Sequence, residues 1–489
     1  MKKSIAKNYI YNLIYQMLTI LLPLITTPYL SRVLGAEAIG IYGYTLSIVA
    51  YFILFGTLGI SMYGQREIAY LQNDKVKKTK TFWEIIIIRT ITLGISIFLF
   101  YFLFGRSGEY SFYYRILIVQ LIANLFDISW FFQGIEEFDK TVIRNLIVKA
   151  LGLILIFTVI KTQDDLWKYF AILVASELIG NVTLWMYLPK YLERIKIKNL
   201  EFKKHLKPTI SLFLPQIAIQ IYTVLDKTMI GKITNDMVEV GYYEQAQKVV
   251  RAALIIITAL QAVMNSRIAN AYSRNDKTEV KESLTKSFNF VWFLGVPMML
   301  GLIAVGPKLV PWYYGEGFEG VTNILIATSP ILIAIGLNGV TGIQYLVQTG
   351  KQNIFTKSVT IGAITNVVLN IILINIFKGV GAAIASVLAE LTIFAIQLRY
   401  FKEQFSIFEI LKLSTKCFIS GIVMFAAVSL LVHFMQVSML NTLIQVTVGA
   451  AIYILILIVL KYKFLKDLHN QILQGIKDRF GGKIKNAKN

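Results

Sequence analysis

Two adjacent charged residues, Asp226 and Lys227, stand inside an apolar run long enough to cross a bilayer, and Lys248 and Arg251 stand inside the next one. A charged side chain at mid-membrane costs roughly 2.5 to 3.5 kcal/mol on insertion scales, so such groups call for a salt bridge or a ligand. Glu244, Lys248 and Arg251 follow steps of four and three and share one helical face. Two readings stay open for them. In one, Glu244 pairs with Lys248, and Asp226 with Lys227 or Arg251, as neutral buried ion pairs. In the other, the basic groups outnumber their partners and form a cationic lining, aided by Arg89 and Arg32. A guanidinium in a dry site suits a phosphate, because its planar fork binds two oxygens at once.

Uncharged polar residues also fall into stripes. Asn8, Asn12, Gln16, Thr19, Pro23 and Thr26 lie on one face of the first apolar helix, and Gln216, Gln220, Thr223 and Lys227 on one face of the helix that holds Asp226. A polar stripe on a membrane helix faces protein or water rather than lipid, and here a cavity wall is preferred to simple interhelical hydrogen bonding. Pro23 and Pro215 add expected kinks. Gln120, Asn124 and Asp127 form another polar face, with Arg144 and Lys149 across a short turn. Asp127 with those cations reads as a gate or as a structural clamp. Glu177 and Glu390, carboxylates inside apolar helices, are candidates for taking up H+ or Na+ in a coupled cycle, since burial raises a carboxyl pKa.

The elements that must carry these residues are transmembrane helices. The 489 residues are 56% hydrophobic and 16% charged, with a mean hydropathy of +0.62, too apolar for a soluble globular chain. At about 20 apolar residues per crossing, fourteen spans are expected, near 10–31, 39–61, 82–104, 112–132, 143–161, 166–188, 208–231, 240–263, 285–306, 320–342, 355–376, 380–399, 410–433 and 439–460. Lys and Arg gather in the even-numbered connections and both tails, which places both termini in the cytoplasm of a bacterial cell, the protein spanning its plasma membrane. That asymmetry also accounts for the net charge of +21 without nucleic acid, for which no basic folded domain is present. Cys417 is the lone cysteine, and His205, His433 and His469 are far apart, so neither disulfides nor a Cys/His metal cluster is expected. No connection is long enough for a folded extramembrane domain. In the tail, Leu465, Leu468, Ile472 and Ile476 fall at helical spacing among basic residues, as in a short amphipathic helix on the inner leaflet or a merely solvated tail.

The chain also repeats itself. Gly40 and Tyr42 match Gly241 and Tyr243 at an offset of 201, Gln133 matches Gln348 at 215, and Glu177 matches Glu390 at 213. Three matches in one order imply two parallel six-span halves. The expected divisions are 1–199 for the first lobe, 200–404 for the second, 405–461 for two added spans, and 462–489 for a basic tail. Gly381, Ala385 and Ala389 make a small-residue stripe that reads as close helix packing.

Several of these segments resemble one known family. PLITTPYLSRVLGAEAIGIYGY, LGISMYGQREIA, DISWFFQGIEEF, DKTMIG with VGYYEQAQK, and GVGAAIASVLAE are similar to segments of the Wzx-type flippases for O-antigen, capsule and exopolysaccharide repeat units, in the polysaccharide transporter branch of the MOP superfamily. The resemblance implies an all-α membrane fold of two pseudo-symmetric six-helix lobes in a V, as in MATE transporters, and no enzymatic activity or cofactor. It also implies movement of undecaprenyl-diphosphate-linked oligosaccharide between leaflets, among membrane lipids and alongside a polysaccharide polymerase. The cavity cations it assigns to the head group are Arg32, Arg89, Lys227, Lys248 and Arg251. One departure is that QAVMNSRIANAYS keeps an arginine, Arg267, without the expected proline before it. The rival readings are a MATE-like exporter of organic cations, a peptidoglycan-precursor flippase, and a membrane polysaccharide polymerase. A cation exporter calls for acidic cavities and a polymerase for a sizeable outer loop with acid/base groups, whereas the outer loops here are short and hold no histidine.

Overall fold

In a computed structural model the chain is helical throughout the described residues, which are 5–193, 200–402 and 404–470. The side chains of 5–21, 143, 211–212, 214–223 and 262 lie outside them. Sixteen α-helices follow in order: α1 (Ile5–Thr57), α2 (Ile60–Tyr70), α3 (Lys75–Phe100), α4 (Ser111–Leu125), α5 (Ser129–Gly134), α6 (Phe138–Val159), α7 (Leu166–Trp185), α8 (Lys203–Thr234), α9 (Met237–Thr258), α10 (Gln261–Ser273), α11 (Lys277–Tyr314), α12 (Gly320–Thr328), α13 (Ile331–Asn338), α14 (Gln352–Phe401), α15 (Ile407–Phe434) and α16 (Met439–Val459).

Eleven helical stretches of the described residues are long and apolar enough to cross a membrane. Two of them each hold a pair of the expected spans. The first pair turns at Gly35, where φ is +78°, a left-handed backbone that glycine adopts without a Cβ penalty. The second turns at Lys378, where φ is +49°. Lys378 is not a glycine, and its ammonium lies 3.2 Å from the Asp236 carboxylate, which helps to hold it in that backbone. The seventh expected span is α8.

Membrane solvation inverts the usual amphipathic pattern. On α16 the buried residues are Thr442, Gln445, Gly449, Tyr453 and Leu457, at steps of three and four, while Leu440, Leu443, Val446 and Leu455 are exposed. With lipid as apolar as leucine, association depends on close packing and on polar groups that find partners inside. Capping fixes the helix starts: Ser406 Oγ accepts from the Glu409 N–H at 3.2 Å, and Glu409 Oε2 accepts from the Ser406 N–H at 2.7 Å.

Two compact units result. One comprises Met1–Gln245, Tyr314–Gly320 and Asn366–Ala382; the other comprises Ala246–Tyr313, Val321–Thr365 and Ala383–Asn489. In the first, one core gathers Leu34, Val49, Leu117, Leu121 and Phe170, and a second gathers Phe82, Trp130, Phe131 and Phe132. Residues Ile472 and Ile476 of the expected tail helix lie outside the described residues.

Candidate functional site

The repeated glycines meet. A Cβ on Gly40 would lie 1.7 Å from the Met237 carbonyl oxygen, and a Cβ on Gly241 would lie 2.1 Å from the Ala36 carbonyl oxygen. Gly40 to Met237 and Gly241 to Ala36 are the same contact under the 201-residue offset, so this helix crossing is reciprocal. Any side chain at either position would force the backbones apart. Around the crossing, Gln245 Nε2 donates to Ser31 Oγ at 2.8 Å, and Tyr44 packs on Gly231.

One helical turn along α8, the two adjacent charges separate. Asp226 is buried, and its carboxylate accepts from Tyr243 Oη and, at 2.7 Å, from Asn370 Nδ2. Lys227 instead reaches Glu244 at 3.0 Å, with both side chains largely buried. The expected pairing of Asp226 with Lys227 or Arg251 is therefore corrected. Neighbours along a helix point about 100° apart, so Asp226 meets Tyr243 of α9 and Asn370 of α14, while Lys227 meets Glu244 of α9. Asn366 Oδ1 accepts from Asn370 at 3.1 Å, and Asn370 Oδ1 is buried with no partner among the described residues.

Lys248 is half-buried, and Arg251, one turn further along α9, is exposed and makes no ion pair or hydrogen bond among the described residues. Arg32 is also exposed; its guanidinium donates to the Pro28 carbonyl at 3.1 Å, and its stem lies against Gly315. The side chains of Asn12, Gln16, Gln216 and Gln220 lie outside the described residues, as do those of Asn8, Thr19, Pro215 and Thr223.

Arg89 is not on an open wall. It is 1% exposed, donates from Nε to the Asn124 carbonyl at 2.9 Å, and pairs with Asp127 at 3.6 Å. This corrects two expectations, that Arg89 lines a cavity and that Asp127 pairs with Arg144 or Lys149. The cause is local. The helix breaks between α4 and α5, where Asp127 Oδ1 takes the Ser129 N–H at 2.9 Å, and that turn aims the carboxylate at α3. Arg144 donates instead to the Gly180 carbonyl at 2.7 Å and to Asn181 Oδ1 at 3.0 Å, which ties α6 to α7. Lys149, half-buried on α6, makes no contact with Asp127.

The two glutamates hold equivalent places. Asn124 Nδ2 donates to Glu177 at 3.2 Å in the first unit, and Asn338 Nδ2 donates to Glu390 at 2.5 Å in the second. Asn338 lies 214 residues after Asn124, between two of the three offsets that relate the halves, 213 and 215, yet it was not singled out from the sequence because its neighbours do not match. In both copies the α-helix is interrupted just beyond the asparagine. The first gives way to the break before α5, and the second widens into a π-helix over Gly339–Val347. Gln261 packs against Gly339 there, and Thr341 donates to Gln397 at 2.5 Å. Asn366 and Asn370 were also missed, although a four-residue step of asparagines within an apolar span was a usable signal. The small-residue stripe does pack closely, since a Cβ on Gly381 would lie 2.1 Å from the Leu373 carbonyl oxygen.

Comparison with known proteins agrees with this architecture. Residues 5–265 match the family of polysaccharide biosynthesis proteins, and residues 143–455 match the family of the lipid II flippase MurJ. A protein of Escherichia coli strain K12 named as an O-antigen transporter is 25% identical over 82% of this chain and 97% of its own length. Another from Shigella dysenteriae, named likewise, is 22% identical over 78% of this chain and 96% of its own. Among solved structures, an inward closed conformation of lipid II flippase MurJ aligns with a TM-score of 0.74 at 19% identity, over 94% of this chain and 99% of that one. An inward-facing MATE multidrug transporter aligns at 0.62 and 12% identity, over 80% and 94%. Both likenesses concern the fold. A multi-pass helical chain with this internal repeat, matched over more than half its length, belongs to the polysaccharide biosynthesis protein family, a family of flippases rather than enzymes and related to MurJ.

Proposed function

We propose that the protein carries a polyprenyl-diphosphate-linked oligosaccharide, of the undecaprenyl type, from the inner to the outer leaflet by alternating access, with both termini cytoplasmic. The observation that carries this reading is Arg251, an exposed guanidinium without a protein partner among the described residues, set in an apolar helix. Facing lipid, such a cation costs several kcal/mol, so it implies a watery surface that receives an anion. Lys248 lies on the same face of α9. Arg32, Lys227, Asn12, Gln16, Gln216 and Gln220 are the other residues assigned here to the head group, and an arriving diphosphate would compete for Lys227 with its partner Glu244.

The Gly40 and Gly241 crossing acts as the outer gate, since it joins the ends of the helices beside the first and seventh connections. Glycine at both positions allows full closure. Asp226, held by Asn370 and Tyr243, is the coupling carboxylate, with Glu177 and Glu390 as secondary candidates for H+ or Na+. Stripping a sugar hydroxyl of water without replacement costs at least about 1 kcal/mol, so unassisted crossing is negligible. A diphosphate leaving a negative interior gains roughly 2.3 kcal/mol per charge per 100 mV.

A second reading, transport of the peptidoglycan precursor, is favoured by the match to the lipid II flippase family over residues 143–455. Deletion in the source cell separates the two. Viable cells that accumulate an inward-facing lipid-linked repeat unit and lose surface polysaccharide support the first reading. Arrest of wall synthesis supports the second, and drug sensitivity with intact polysaccharide would sink both.

A further inference from the structure

A buried cluster at the junction between the two halves takes no part in the site above. Glu84 on α3 is fully buried, and its carboxylate is saturated with donors. Oε1 accepts the Glu201 N–H at 2.6 Å, and Oε2 meets His205 Nε2 at 2.7 Å and Lys204 Nζ at 3.0 Å. Lys80 stands 3.8 Å from Oε1. An ionised carboxylate only accepts, so the proton of a neutral His205 is on Nε2, and Nδ1 is left to accept from Tyr63 Oη on α2 at 2.7 Å. The chain Tyr63–His205–Glu84 is thus fully partnered at every polar atom. Arg66, Glu67 and Glu201 form its charged rim: Arg66 lies over the Tyr63 ring and pairs with Glu67, and Glu201 pairs with Lys204.

Contacts to α3 stand on both sides of the segment that joins the halves. On the near side of that segment, the Glu193 N–H donates to Thr79 Oγ1 of α3 at 3.0 Å; on the far side, Glu201 and His205 bind Glu84 of the same helix. α2 is in turn locked in place, because Gly64 fits against the Trp130 ring and Gly134 against the Gln65 carbonyl, with no space for a Cβ at either glycine. His205 lies at the start of α8, the leading helix of the second half. The first compact unit runs through Gln245 and so includes α8.

We propose that Tyr63, His205 and Glu84 are a permanent bolt: the starting end of α8 moves with the first half throughout the transport cycle. Breaking it would strip the buried carboxylate of Glu201, Lys204 and His205 together and leave it only Lys80 of its own helix, 3.8 Å away, among the donors named here. The inference concerns how the chain moves and does not depend on which lipid is carried.

Nitroxide labels at the exposed positions Lys77→Cys and Lys203→Cys, in full-length protein with Cys417→Ser, report the bolt by electron spin resonance. In vesicles with or without undecaprenyl diphosphate and with either sign of membrane potential, one unchanged distance is expected. Glu84→Gln should add a second, longer distance. A second distance appearing in the unsubstituted background under any of these conditions, while a label pair flanking Gly40 and Gly241 also changes, would overturn the bolt. An independent arm bridges Tyr63→Cys and His205→Cys with a short bifunctional thiol reagent. Export recovering on bridging supports the proposal, and export abolished by bridging contradicts it.

Discussion

The two halves build the same asparagine–glutamate contact in different surroundings. In the first, Asn124 and Glu177 are half-buried, and the ion pair of Asp127 with Arg89 lies at the helix break just beyond Asn124. In the second, Asn338 is 9% and Glu390 6% exposed. A duplicated geometry that is half-buried in one copy and buried in the other indicates that the contact itself is architectural. It staples an interrupted helix to its neighbour two spans on. What diverged is the burial, so any coupling role is expected to fall unequally on Glu177 and Glu390.

The largest effect expected is on a feature the halves share. Gly241→Leu should reduce surface polysaccharide to background while the protein still inserts, and Gly40→Leu should match it, because each residue meets the backbone of the other's helix. Unequal phenotypes in an immunoblot of surface polysaccharide would show that the crossing is not mechanically reciprocal. Next comes Arg251→Ala, which should lower export at least about tenfold, the loss of one charge-assisted contact of roughly 1.5 to 3 kcal/mol. Normal polysaccharide in that variant would remove Arg251 from the site.

The asparagines test the contrast directly. Asn338→Leu removes a donor from a buried carboxylate and should cost about 3 kcal/mol in detergent unfolding, near the low end for stranding a buried charge. Asn124→Leu should cost about 1 kcal/mol, since Glu177 is only half-buried. Equal losses would mean that the difference in burial is irrelevant. The smallest effect serves as a control outside the duplication: Ser406→Ala removes the cap of α15 and should cost about 1 kcal/mol without changing export.

Much of this was legible in the sequence because the bilayer constrains it. Helix number, the duplication and the family followed from apolar length, offsets and motifs, whereas the Gly40 and Gly241 match showed a repeat and not that the two glycines meet. Partner choice was not legible. Asp226 and Lys227 look like one pair when written side by side, yet helical rotation sends them to Asn370 and Glu244. Arg89 looked like a cavity cation because its partner, Asp127, lies on a helix break that periodicity does not register. His205 was weighed only as a metal ligand and dismissed, since its acceptor, Glu84, is more than a hundred residues earlier.

The reciprocal glycine contact has the form of an isologous interface, in which one patch meets a copy of itself across a twofold axis. Before the halves were fused, the same surface would have closed a homodimer of six-helix subunits, with one glycine sitting on its own symmetry axis. A single base change there would have struck both sides at once. Fusion relaxed that constraint, leaving two codons free to drift in principle, and at this crossing both are held to the same residue by the absence of room between two backbones.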